Sequence, residues 1–83
     1  MSKKIKPDGP LASCAKRSLE KYFRELNGEK TIDLYDMVIS EVEKPMLEVV
    51  MRYAESNQCR AAGILGINRN TLRKKLLHHG LIK

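Results

Sequence analysis

The sequence has two cysteines only, Cys14 and Cys59, 45 residues apart, with no CxxC pairing and no histidine or cysteine cluster beside them. A disulfide framework or a zinc site needs more ligands than this, so both are expected to be reduced, small apolar side chains. Proline and glycine are scarce, at three and five residues, while 42% of the chain is apolar and 31% charged, which excludes a disordered or fibrous chain. Long hydrophobic runs are missing too. The longest, Ala61 to Ile67, falls far short of the ~18 residues that a membrane span requires. Lys3, Lys4 and Lys6 could open a signal peptide, but Pro7-Asp8-Gly9-Pro10 stands where its apolar stretch should be. A small protein that stays inside the cell is expected. Size scaling has 83 residues burying about 63% of the unfolded surface, near the lower limit for a lone domain, so a partner subunit would help.

Catalytic equipment is also lacking. There is no Ser–His–Asp arrangement, no glycine-rich phosphate loop and no metal-ligand cluster. His78 and His79 are adjacent and point to different sides of a helix, and Glu41 and Glu43 do not face each other at i, i+2. Met37, Met46 and Met51 read as core filler. No enzyme, no metal and no cofactor are expected.

Acidic residues are absent from one whole region. Residues 1–56 hold ten basic and ten acidic side chains, whereas residues 57–83 hold Arg60, Arg69, Arg73, Lys74, Lys75 and Lys83 with no acid at all. A balanced first part and a purely basic second part suggest separate jobs, with a polyanion as partner for the second.

What is present is helical periodicity throughout, with no strand pattern and no internal repeat. Residues 1–10 read as a flexible basic tail. Residues 11–56 read as dimerisation helices, about 11–27 and 34–54. Leu11, Ala15, Leu19, Tyr22 and Leu26 form one helical stripe, with Pro10 near its first turn and Asn27-Gly28 as its stop. In the second helix Asp33 is the expected N-cap, with Ile32 and Met37 placed as a hydrophobic staple, and Pro45 is expected to kink it. Its apolar residues cover more than one stripe. Val38, Val42, Pro45, Met46, Val49 and Val50 are the expected core between two copies of the chain, because a helix so apolar must be covered on several sides. Residues 57–83 read as two short helices, capped by Asn57 and Asn68 and ended by Gly66 and near Gly80.

Those two helices fit the spacing of a helix-turn-helix. Ala62 is the small residue where the helices cross, Gly66 lies in the turn, and Ile67 and Leu72 supply packing along with Leu65. The second helix then presents Arg69, Asn70, Arg73 and Lys74 outward, with Arg69 and Arg73 sharing a face near its start, where major-groove readers place base contacts. Double-stranded DNA is the expected partner. The competing reading is a helical dimerisation or adaptor module whose basic end binds an acidic protein or RNA.

The strings YFRELNG (22–28), DLYDMVISEVEKPMLEVVMRYAESNQ (33–58) and RAAGILGINRNTLRKKL (60–76) make the chain resemble the Fis family of bacterial nucleoid proteins, from about Leu11 to Gly80. Residues 52–76 also look like the DNA-binding module of sigma-54 activators. The internal proline after Val-Glu-Lys, and a length too short for an ATPase domain, favour Fis. The resemblance implies an all-α, four-helix protomer in an intertwined homodimer, with a carboxy-terminal helix-turn-helix at each end. It implies a cytoplasmic, nucleoid-associated transcriptional regulator that bends DNA with tolerance of sequence. Carried over by position, Arg69 would read a guanine with Asn68 beside it, and Arg73 would join them. Asn57, Gln58, Thr71, Arg73, Lys74 and Lys75 would hold the backbone. Cys59 stands where the family has a phosphate-contacting threonine, and Leu77 and His78 replace two lysines. The stretch before Leu11 is shorter than the family's amino-terminal β-hairpin arm, the part that activates recombinases, so the resemblance supports recombinase contact least among the partners it implies.

Overall fold

The computed structural model describes Ile5 and residues 7–83, and among these it contains four helices and no strand. They are α1 (Pro10–Leu26), α2 (Leu34–Tyr53), α3 (Gln58–Leu65) and α4 (Arg69–His78). The fold is all-α. Of the basic tail expected over residues 1–10, Lys3, Lys4 and Lys6 lie outside the described residues. The chain divides into two compact units after Ile32, so α2 groups with α3 and α4. No helix among the described residues is long and apolar enough to cross a membrane.

In the first unit, Pro10 occupies the opening turn of α1, where its missing N–H costs nothing. Asn27 and then Gly28 adopt left-handed backbone at its end, with φ of 51° and 79°. The Tyr22 hydroxyl lies 2.8 Å from Thr31 Oγ1 and ties the following segment back to the helix. No residue of α1 is buried, and Leu11 and Phe23 are half or more exposed. Of its apolar stripe, Leu11 and Ala15 are exposed and Leu19, Tyr22 and Leu26 half-buried.

The second unit closes around Leu47, Ala54, Ala61, Ala62, Leu72 and Leu76, none more than 5% exposed. Val50, Met51, Leu65, Ile67, Leu81 and Ile82 pack around them. Burying a leucine fully contributes about 1.5–3 kcal/mol, so Leu47, Leu72 and Leu76 supply most of what holds α2, α3 and α4 together. Alanines at 61 and 62 let α3 come close to its neighbours, as a short helix must if it is to seal a small core. Leu81 and Ile82 reach this core because Gly80 turns the chain with φ 68° and Leu81 N–H donates to the Leu76 carbonyl at 2.8 Å.

The start of α2 differs from expectation. Asp33 stands at the N-cap position, but its backbone is left-handed, φ 55° and ψ 33°, and its side chain caps nothing. A carboxylate reaches the N2 or N3 amide only from an extended Ncap backbone, and this one is not extended. Ile32 is 79% exposed and Met37 42%, so neither shows the burial of a closed staple. The helix then runs through Pro45 as one element.

A candidate nucleic-acid interface

The short helices begin as expected. Asn57 is extended, and its Oδ1 accepts from the Arg60 N–H at 3.1 Å. Asn68 does the same for α4, accepting from the Asn70 N–H at 2.7 Å. Between them Gly66 takes φ 73°, and the N–H groups of Gly66 and Ile67 both donate to the Ala62 carbonyl, at 2.9 and 3.1 Å. Nothing lies within 4 Å of where a Cβ on Gly66 would sit, so backbone conformation, not space, selects glycine there.

This turn brings the starts of α3 and α4 to one open groove, lined by Ser56, Asn57, Gln58, Cys59, Arg69, Asn70 and Arg73. Four of the expected contact residues, Asn57, Gln58, Arg69 and Arg73, are therefore together. Amide N–H groups at helix starts attract anions, and Arg69 and Arg73 line the same opening. Arg69 Nη1 donates to Cys59 Sγ at 3.4 Å, which anchors the guanidinium at the groove wall. The Oδ1 of Asn68 is committed to its cap, leaving only its amide NH2 to meet a base beside Arg69. Thr71 and Lys74 are exposed and lie outside the lining of the groove.

Lys75 is placed differently from the other cations. Its Nζ donates to Glu43 Oε2 at 2.8 Å, and His79 Nε2 donates to the other oxygen, Oε1, at 2.9 Å. The Lys75 hydrogen bond, seconded by that of His79, holds the Glu43 carboxyl below its ordinary pKa, against the upward push of its desolvation. Glu43 and His79 carried no signal in the sequence, since 36 residues separate them. Ser56 was equally silent. It joins the groove through a left-handed pair, Glu55 and Ser56 at φ 54° and 65°, that no glycine announces.

Of the expected packing residues, Ala62 and Leu72 are buried, Gly66 makes the turn, and Ile67 packs against the core. Of the residues expected between two copies, Val42, Met46 and Val49 are 43%, 44% and 56% exposed in the single chain. Pro45 is exposed as well, Val38 is half-buried, and Val50 is shared with the core of the second unit.

Residues 38–78 match the family model described as bacterial regulatory protein, Fis family. A DNA-binding protein Fis from Aeromonas hydrophila is 56% identical over 72 residues, which is 87% of this chain and 74% of the relative. A putative Fis-like DNA-binding protein from Ralstonia nicotianae is 53% identical over 73 residues, covering 88% of this chain and 95% of that one. One of the same description from Neisseria meningitidis serogroup A is 50% identical over 72 residues, 87% and 91% of the two chains. With an acid-free helix-turn-helix and identity at this level over most of its length, the chain belongs to the Fis family of bacterial regulatory proteins.

Proposed function

We propose that this protein is a nucleoid-associated regulator that binds and bends double-stranded DNA as a homodimer in the bacterial cytoplasm. The observation that carries this reading is the groove in which Arg69, Asn70 and Arg73 of α4 meet Asn57 and Gln58 of α3. Two arginines one turn apart at the start of a helix suit guanine edges in a major groove, because a guanidinium donates bidentately to O6 and N7. Asn57, Gln58, Thr71 and Lys74 flank them with donors for phosphates, which position the protein without reading sequence. The names of the relatives, all described as DNA-binding, support the same partner.

Dimerisation is supported by what the single chain leaves uncovered. Val42, Met46 and Val49 on α2 are 43–56% exposed, and no residue of α1 is buried. A second copy of the chain would cover both. Bending follows from spacing. Two recognition helices on straight DNA must sit about 34–36 Å apart to enter successive major grooves on one face. Each helix-turn-helix here is joined to α2 by Ala54 to Asn57 only, which leaves little slack to spread. A dimer with closer helices engages both grooves only if the DNA curves, at a cost of order 1–6 kcal/mol. The role is binding, with no catalytic step. An adaptor that binds acidic protein or RNA gains no support from the groove or the relatives.

The test is a gel-shift series on duplexes that keep two flanking guanines and vary the centre. Duplex should compete better than single-stranded RNA, and an A·T centre should bind several-fold more tightly than G·C, because its minor groove is already narrow. In circular-permutation gels, mobility should change with site position. Equal affinity for both centres with unchanged mobility would place the protein on straight DNA, and preference for RNA would overturn the reading.

A further inference from the structure

Glu43 on α2 holds two side chains of the α4 region by separate oxygens, Lys75 through Oε2 and His79 through Oε1. The three side chains are 15%, 38% and 6% exposed, so the cluster is part-buried and not a chance meeting of surface charges. Lys75 also leaves α4 on a different flank from Arg73. It lies two residues beyond Arg73, which is about 200° around an α-helix. Its flank is therefore set by Leu72 and Leu76, which turn toward the core, and Glu43 is waiting there. Lys74, by contrast, is exposed and has no ion-pair partner among the described residues.

Resting on the DNA-binding reading above, we propose that Glu43 is an intramolecular competitor for Lys75: it holds the ammonium in the unbound protein, and DNA must draw Lys75 away before that lysine reaches a phosphate. A carboxylate and a phosphate oxygen compete for the same cation by the same charge-assisted hydrogen bond. His79 makes the exchange affordable. It keeps its own bond to Oε1 when Lys75 leaves, so the sheltered carboxylate is never stripped of every donor. Because phosphates carry no sequence, this competition lowers affinity for all duplexes alike and leaves base preference to Arg69. Glu43 thus sets the strength of DNA attachment from a helix that does not enter the groove.

The experiment compares gel-shift titrations of the full chain, Glu43→Gln, Lys75→Ala and the double variant on one duplex in one buffer. Glu43→Gln should bind roughly two- to fivefold more tightly per half-site, the size expected for releasing a partly exposed ion pair. The double variant should bind like Lys75→Ala alone. Tightening that persists without Lys75 would reduce the effect to general loss of a negative charge near DNA and overturn the proposal. A folded Glu43→Gln that binds no better than the unmutated chain overturns it as well. Should Glu43→Gln fail to fold, the carboxyl carbon-13 resonance of Glu43 in the unmutated protein takes its place. That resonance should move as duplex is added, and a resonance that stays still counts against the proposal. An unmutated chain that binds no duplex overturns the DNA reading too, whereas normal duplex binding with an unresponsive Glu43→Gln overturns the competition alone.

Discussion

The two units of this chain solve the problem of a small core differently. Residues 33–83 bury six side chains among α2, α3 and α4 and finish the job with Leu81 and Ile82. The helix of the first unit, α1, buries nothing, although its stripe of Leu11, Ala15, Leu19, Tyr22 and Leu26 is as regular as any in the molecule. The difference lies in what each helix meets within its own unit rather than in helix quality. A short helical hairpin can cover the end of one long helix around Leu47, but it offers too little area for the rest. Apolar periodicity alone therefore does not say whether a face is covered from within the chain or from outside it.

The sharpest way to break that contrast is to empty the closed core. Leu72→Ala removes a side chain with no exposure and should destabilise the second unit by about 2–5 kcal/mol, read as a lower urea midpoint. Leu11→Ala, at 56% exposure in the single chain, should cost little in the monomer and should act through assembly, so that its effect on the urea midpoint shrinks as the protein is diluted. Equal and concentration-independent losses from the two would mean that both faces are covered by the same chain.

Next in size is the division of labour along α4. Arg69→Ala should weaken binding roughly ten- to hundredfold per half-site and flatten preference among sequences, through loss of a bidentate guanine contact. Lys74→Ala should weaken every duplex alike and lower the salt slope by about one per protomer. Identical behaviour of the two variants on all duplexes would remove the distinction between reading and holding.

Smaller effects test how the helix-turn-helix is set. Asn57→Ala deletes the cap that accepts the Arg60 N–H and should cost about 0.5–2 kcal/mol, whereas Asp33→Ala, at a position whose side chain caps nothing, should cost less. The smallest is a pH effect. The Glu43 carboxyl is held below its ordinary value of 4.5 in the folded state, first by Lys75 and then by His79. Its contribution to stability is therefore complete above pH 4.5 and is lost as pH falls through the lowered folded value. Acid unfolding of Glu43→Gln should lack that component, and superimposable acid curves would remove the carboxylate from the account.

Much of this arrangement was legible from residue types and spacing. Pro10 and Asn27-Gly28 bracket α1, Asn57 and Asn68 cap α3 and α4, and Gly66 turns between them, because caps and left-handed turns depend on a few neighbouring atoms. The groove was legible in part, since Arg69 and Arg73 share a helix face at fixed spacing. Asp33 misled because its composition suits a cap while its backbone does not. The Glu43 cluster and the Cys59 contact of Arg69 were invisible for a different reason. They join residues from separate helices, 32 and 36 residues apart at Glu43 and 10 at Cys59, and only the packing of the helices decides which polar groups meet.

In the proposed division of labour, one region of the chain pairs copies while the other grips DNA. That division is tested most directly by the mass of the complex in sedimentation equilibrium, with a single duplex carrying two half-sites. Two chains of 9.5 kDa should be bound to each duplex, with no one-chain complex at partial saturation, because the pair forms before DNA is met. A stable complex of one chain per duplex would contradict the account.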